Sequence, residues 1–389
     1  MFKIKLLCNK MSNFDFELLT RTNYYKRHTK DCIKKDYTRD ICIENILNPK
    51  REDYLKVVQK SNLWLNLRSR SHGTASSLGK FLIGDKFLTT QQLNQNWNDF
   101  ITKKPFEKTQ TMEAHMKWGT TYEDLALFCF AEQYKVCVNQ VGTIRVDYTN
   151  ILDNYKLFFP SLPFLEQTQE EHHNYHLLIS PDGIVGKREK QRSKEDFFKL
   201  SDNIIGMLEI KCMSPFYHLE NENGNLVWCQ DIEKRQWSKV EDIPFVYLIQ
   251  MTLQAVSGII ELDMNMSDKM YFERWSPKGF SVFVLPFSHL FKVGLLCSTL
   301  YFKILSRSKE QDFKAYPLLN DEQIIQEEME KQINILNSMI THEYHDITEK
   351  HPYQDIFNNY FLQTQYSEFN MHPQEKIKSK EQSNSVCLI

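Results

Sequence analysis

Hydrophobic positions along the chain alternate between two periods. From Met112 to Tyr134, Trp118, Tyr122, Leu125 and Cys129 recur at helical spacing, which places them on one buried stripe of a helix of several turns. Short apolar runs rich in β-branched residues and punctuated by Gly read as strands at Gly142 to Asp147, His176 to Ser180, Asp182 to Gly186 and Met207 to Cys212. Pro181, between two of them, predicts a bend or bulge. A helix follows over Ile243 to Ile260, then strands over Lys269 to Glu273 and Phe280 to Leu285, and a second apolar helix over Leu290 to Leu305. Residues 1–60 show no clean period until Tyr54 to Val58, where an amphipathic helix begins, and read as an N-terminal helical extension. Residues 306–363 read as a C-terminal helical region around the charged amphipathic stretch Glu322 to Ile340, and residues 364–389 as a disordered Gln/Lys/Glu/Ser-rich tail. The main body, residues 61–305, therefore belongs to the mixed α/β class: a twisted sheet flanked by helices, with helical additions at both ends.

Composition narrows the function classes without choosing among them. The chain has 389 residues, 41% hydrophobic and 25% charged, and a net charge of -2. A nearly neutral protein reaches nucleic acid only through local basic surface. Two such stretches exist: seven Lys/Arg against three Asp from Arg21 to Asp40, and five Lys/Arg against one Glu from Lys187 to Lys194, the latter equally readable as a solvated turn. The segment from Tyr301 to Ile389 carries nine Lys/Arg and fourteen Asp/Glu and is not expected to touch DNA. The nine cysteines are scattered without a C-x-x-C pair and leave one over if the rest paired, which fits an intracellular, reducing compartment best. Only His172, His173 and His176 cluster, with no Cys companion, so structural zinc is not expected. No signal peptide is read, because Met1-Phe2-Lys3-Ile4-Lys5 opens no long apolar core, and no membrane span, because Gln250, Gln254 and Lys292 interrupt the longest apolar stretches.

The chemistry concentrates in Ser180-Pro181-Asp182-Gly183-Ile184 and Leu208-Glu209-Ile210-Lys211-Cys212. On a strand, alternate side chains share a face, so Glu209 and Lys211 project together while Ile210 turns to the opposite, buried side. With the Asp182 strand beside it, two carboxylates and the Ile210 main-chain carbonyl could hold Mg²⁺, a hard ion that prefers oxygen and retains waters. Taken singly these residues have plain competitors: an Asp-Gly after Pro is a common turn, and Glu-x-Lys on a strand is commonly a solvated face.

Four blocks in order change that balance. Trp64-Leu65-Asn66-Leu67-Arg68 leading to Thr74-Ala75-Ser76, Trp118-Gly119-Thr120-Thr121-Tyr122-Glu123, the Asp182 and Glu209/Lys211 strands, and Tyr247-Leu248-Ile249-Gln250 together resemble the PD-(D/E)XK nucleases, specifically the phage lambda exonuclease and YqaJ-type viral recombinase family, over Asn62 to Phe287. Two departures stand out. The family's fourth block carries a second Gln two residues after the first, whereas Thr252 stands there and Gln254 follows one helical turn beyond Gln250, on the same face. The segment between Arg68 and Ser76 is also about one residue longer than the family's usual spacing.

The resemblance implies a restriction-endonuclease-like core over residues 61–305 and a Mg²⁺-dependent exonuclease, with Mn²⁺ as a substitute and one or two ions. It implies Glu123, Asp182, Glu209, Lys211, Gln250 and Gln254 as the catalytic set, with Glu123, Asp182, Glu209 and the Ile210 carbonyl on the metal, and Arg68, Arg70 and Ser76 on phosphate. It further implies linear double-stranded DNA as substrate, 5′-to-3′ degradation that leaves a 3′ single strand, a single-strand annealing protein as partner, and a homo-trimer, in the setting of viral DNA replication, recombination and repair. Two other classes share the same residues: a structure-selective endonuclease or RNA-degrading nuclease, and a non-catalytic DNA-binding recombination platform. Trp64 and Trp118 are expected in the core; for Arg68 and Arg70, surface salt bridges compete with bidentate phosphate contacts.

Overall fold

The stripe built on Trp118, Tyr122, Leu125 and Cys129 is one face of a 25-residue helix, Gln110–Tyr134, laid across a mixed β-sheet. The structure is a computed structural model that describes residues 33–35, 51–82, 89–102, 104, 110–164, 174–187, 204–213, 216–220, 226–230, 243–276, 279–310 and 312–346. The tail expected from residue 364, most of the N-terminal extension, the basic stretch after Lys187, and His172 and His173 lie outside the described residues.

The strands are β1 (Ile33–Lys35), β2 (Val136–Gln140), β3 (Ile144–Asp147), β4 (His176–Ile179), β5 (Gly183–Lys187), β6 (Ile204–Cys212), β7 (Phe216–Glu220), β8 (Leu226–Gln230), β9 (Lys269–Ser276), β10 (Gly279–Pro286) and β11 (Thr341–Asp346). The helices are α1 (Arg51–Leu55), α2 (Asn62–Arg70), α3 (Ala75–Leu78), α4 (Thr90–Ile101), α5 (Gln110–Tyr134), α6 (Tyr148–Phe158), α7 (Phe245–Glu261), α8 (Phe287–Ser306) and α9 (Asn320–Asn337). Seven strands form the main sheet in the order β1-β2-β5-β6-β9-β10-β11; β3 pairs with β4, and β7 with β8, as separate ribbons. β6 is central, antiparallel to β5 and parallel to β9, with α7 in the crossover between them. This is the mixed α/β sheet flanked by helices that the periodicity predicts.

Alternation along β6 sorts its side chains to two cores. Leu208 and Ile210 face α5 and join Trp118, Tyr122 and Trp275; Met207 faces α7 and joins the larger cluster with Leu253, Phe272 and α8. α7 is buried on nearly every side from Leu248 to Gly258, as expected for a helix apolar all round and packed between other elements. Two glycines permit close approaches: a Cβ on Gly206 would overlap the Lys269 carbonyl of β9, and one on Gly142 would overlap the Val57 carbonyl. The latter contact seats the α1 segment on the β2–β3 turn, where Gly142 and Thr143 donate to the carbonyls of Leu55 and Tyr54 at 2.7 and 3.1 Å.

The chain changes sheets at Ser180-Pro181-Asp182, between β4 in the small ribbon and β5 in the main sheet, which is the bend that Pro181 signalled. Other elements depart from the sequence reading. α1 stops at Leu55 rather than continuing from Tyr54 into a longer amphipathic helix. Strand β2 was not foreseen, because the apolar character of α5 runs straight into it; the boundary is Lys135, at φ 54, in the left-handed conformation that ends helices. The helix expected to reach Ile340 ends at Asn337, and β11 then returns to the sheet edge against β10, so the C-terminal region is not helical throughout.

Candidate functional site

The site gathers where β5 and β6 begin to part. Gly183 of β5 is paired with Leu208 of β6, and extending that antiparallel register by one pair sets Asp182 across from Glu209. Beyond that point Asp182 replaces strand pairing with a side-chain contact: its Oδ2 accepts the Ile210 N–H at 2.7 Å. Gln59 fixes the approach, donating from one amide nitrogen to the carbonyls of Pro181 at 3.0 Å and Val141 at 2.8 Å. The loop that carries Asp182 is thereby tied to the β2–β3 turn.

Glu209 is fully buried on the α7 face of the sheet. An isolated buried carboxylate costs several kcal/mol unless it is paired and hydrogen-bonded. Here three donors converge on it. Lys211 Nζ and Gln250 Nε2, the latter at 2.6 Å, reach Oε1, and Gln254 Nε2 reaches Oε2 at 2.6 Å. Helical spacing of four explains why both glutamines reach one group: they sit one above the other on the face of α7 that looks at β6. Lys211, a quarter exposed, lies with its ammonium 5.1 Å from the centre of the Tyr247 ring, a cation–π contact from the first turn of the same helix.

Charges in the site are strongly coupled. Burial and the neighbouring Glu209 push the Asp182 carboxyl up to about 7, with Lys211 opposing the shift. Burial would lower the Lys211 ammonium, but Glu209 and Asp182 outweigh it and hold it above its ordinary range, so it is charged at neutral pH. Glu123 enters from α5, which covers the opposite face from α7; its carboxyl is raised by burial and then by Asp182, and lowered by Lys60. Lys60 Nζ is 2.8 Å from Glu123 Oε2 and 3.4 Å from the Thr120 hydroxyl.

The structure therefore joins Asp182, Glu209, Lys211, Gln250 and Gln254 in one network and leaves Glu123 beside it, bonded to Lys60 and coupled to Asp182 through charge. Among the described residues no three His, Cys, Asp or Glu side chains converge as a ready metal cage, and Glu123 stands beside Asp182, coupled to it through charge. The two-carboxylate arrangement still suits Mg²⁺, which is usually held by one or two carboxylates plus waters and substrate phosphate rather than by an all-protein cage. Two further features fit a divalent ion: the mutual repulsion of Asp182 and Glu209, which a cation would relieve, and a buried Gln254 Oε1 with no hydrogen-bond partner among the described residues.

Arg68 and Ser76 form a second constellation on α2 and α3. One Arg68 nitrogen donates to the hydroxyls of Thr74 and Ser76 at 3.2 and 2.9 Å, and its guanidinium stacks 4.2 Å from the Trp64 ring centre. Burial lowers the guanidinium to about 10. Trp64 is partly buried and packs on the small cluster of Tyr54, Val57 and Leu178, with its indole N–H donating to Ser180 Oγ at 3.0 Å; Trp118 is in the core. Arg70 is exposed at the end of α2 and lines, with Arg68, His72, Phe100 and Lys104, a cleft of about 730 Å³. Gln59, Lys60 and Ser180 were missed as site residues, since no local spacing singles them out; Tyr247 was seen only as a motif letter.

Among the described residues no helix is long and apolar enough to cross a membrane, and Cys129, Cys137, Cys212 and Cys297 are free thiols. A search of curated proteins finds no match to the chain. A family model described as the YqaJ-like viral recombinase domain matches residues 63–259, just over half of the 389 residues, and spans α2, Glu123, Asp182, Glu209, Lys211 and both glutamines of α7. The chain belongs to the YqaJ-like viral recombinase domain family, nucleases that act on DNA in recombination.

Proposed function

We propose that the protein is a Mg²⁺-dependent exonuclease of PD-(D/E)XK type that degrades linear duplex DNA from the 5′ end and leaves 3′ single strands for annealing, with Mn²⁺ able to substitute. The observation that carries this reading is the buried Glu209 carboxylate, set opposite Asp182 on the neighbouring strand and beside Lys211 on its own. Two mutually repelling carboxylates beside a lysine are costly to fold around, and phosphodiester hydrolysis has a use for them. Asp182, Glu209 and the Ile210 carbonyl would hold the ion, with Glu123 at the margin. When bound, Mg²⁺ supplies charge neutralisation at the phosphate and lowers the pKa of water.

The chain's own groups supply the rest. Lys211, beside Glu209 and Asp182, positions the attacking water by donating hydrogen bonds. Gln250 and Gln254 fix both oxygens of Glu209, so the remaining lone pairs point in a set direction. Arg68 and Ser76 offer donors to a backbone or terminal phosphate, and Arg70 extends the basic surface into the cleft. An annealing protein as partner, a homo-trimer, a reducing compartment at the viral replication site and the resemblance-based boundaries at residues 61, 306 and 364 belong to the same proposal.

The test is digestion of a linear duplex labelled at one 5′ or one 3′ end, in Mg²⁺, with a covalently closed circle and a structured RNA alongside. Stepwise loss from the 5′ end with the circle intact supports the reading. Cutting of the circle or the RNA would move the same residues to an endonuclease or RNA-decay role, and no cutting of any substrate would favour a binding platform.

A further inference from the structure

We infer that Lys60 is a built-in monovalent cation at the Glu123 side of the site, which keeps that position from a second divalent ion and so limits the metal-bound protein to one tightly held ion. The inference rests on the metal reading of Asp182 and Glu209 above. Three observations carry it. Lys60 places its ammonium 2.8 Å from Glu123 and 3.4 Å from Thr120 and acts on Asp182 through charge as well, so a second ion drawn to Glu123 and Asp182 would meet it. Its backbone is at φ 66, a conformation that disfavours any residue with a Cβ and favours glycine. A lysine there is unfavourable for the turn itself. Finally, the turn is held on both sides: Gln59 is bonded to the carbonyls of Val141 and Pro181, and the Ser61 hydroxyl accepts the Trp64 N–H to start α2. The turn that carries Lys60 is a fixed piece of chain, from which the half-exposed side chain reaches Glu123.

Lys60 is 51% exposed and Glu123 23%, so the pair is a weak one and a divalent ion at high concentration can displace it. Its effect is on the order of ions bound. Removing the ammonium eliminates both the competitor for Glu123 and its repulsion of an incoming ion, which together are worth roughly a tenfold gain in affinity at the second position. Lys60→Gly is the apt variant because it also relieves the backbone.

The experiment is calorimetric and Mn²⁺-paramagnetic titration of the full chain without DNA, wild type against Lys60→Gly and Lys60→Arg. One tight ion in the wild type and in Lys60→Arg, with a second tight ion, at least tenfold stronger than any secondary binding in the wild type, in Lys60→Gly, is the expected result. Equal stoichiometry and affinity in wild type and Lys60→Gly would overturn the role of Lys60 while leaving the metal site standing. Binding of no divalent ion by any of the three would overturn the metal reading and this inference with it. Thermal melting of Lys60→Gly at or above the wild-type temperature confirms that the comparison is between folded proteins.

Discussion

Replacing Lys211 by Met keeps most of the side chain's length while deleting the one cation bonded to Glu209. Breaking a buried ion pair from one side typically costs about 3 to 5 kcal/mol. In this site the cost is smaller. Lys211 is a quarter exposed, and Gln250 and Gln254 continue to donate to Glu209, so a loss of about 2 to 3 kcal/mol is expected for the metal-free protein. Glu209→Gln, which leaves Lys211 without its main partner, is expected to cost a similar amount. The double variant removes both charges and should be about 2 kcal/mol more stable than the sum of the single losses predicts, since neither charge is left uncompensated. The assay is urea denaturation in EDTA followed by far-ultraviolet dichroism and tryptophan fluorescence, with coincident transitions required before a free energy is extracted. The folded Lys211 is raised above its unfolded value, so its contribution is fully present below the unfolded pKa of about 10.5 and is lost only as pH rises through the higher folded one. The cost should therefore not diminish at any pH below about 9, and should rise modestly between about pH 6 and 8 as the Asp182 carboxyl, near 7, ionises and gains Lys211 as its counter-charge. Additivity of the two single variants within about 0.5 kcal/mol would refute the reasoning.

Three further outcomes follow from the same geometry. Asp182→Asn should abolish digestion of linear duplex while leaving DNA retention in a gel-shift assay within about threefold of wild type, because an amide of the same shape removes an anionic ligand and no basic surface. Measurable digestion by a clean preparation would remove Asp182 from the metal site. The folded Asp182 carboxyl, near 7 against an ordinary 3.8, binds more protons than the unfolded one, so the metal-free protein should lose stability as pH rises from about 4 to about 7. Added Mg²⁺ should then raise the melting temperature more at pH 8 than at pH 5.5, and an equal rise at both values would contradict the coupling. Arg68→Lys keeps the charge but loses the planar fork that holds Thr74 and Ser76; weaker duplex binding by about tenfold is expected, read by fluorescence anisotropy across a salt series.

What could be read from the sequence was whatever carries a local period. Glu209, Ile210 and Lys211 separate to opposite faces because a strand alternates, and Gln250 and Gln254 superimpose because a helix turns every 3.6 residues. Trp118 and Tyr122 announced α5 for the same reason. Elements without a period were lost. β11, Thr-His-Glu-Tyr-His-Asp, is an exposed polar edge strand held by His342 stacked on Phe283 and His345 over Phe280, contacts that no alternation of apolar residues advertises. α4 and α6 were passed over although both carry a helical period, Leu93 with Trp97 in the one and Ile151, Leu152 with Tyr155 in the other. Lys60 and Gln59 were invisible for a different reason: their partners lie far along the chain, and a lysine at a positive φ gives none of the warning that a glycine would.

Gln59 also bears on how the molecule is made. Its side-chain amide meets carbonyls 82 and 122 residues downstream, so the contact that secures the Asp182 loop is among the most non-local in the site. Closing loops of that length is entropically slow and unrewarded until the sheet exists. On a ribosome adding roughly 5 to 20 residues per second, the Gln59 segment must wait on the order of 6 to 24 seconds before Pro181 has even been synthesised. Glu209 and the glutamines of α7 follow later still. The contacts that organise the acidic site therefore close only once residues 59 to 254 are all made, and a chain cut before α7 would lack both glutamine donors to Glu209.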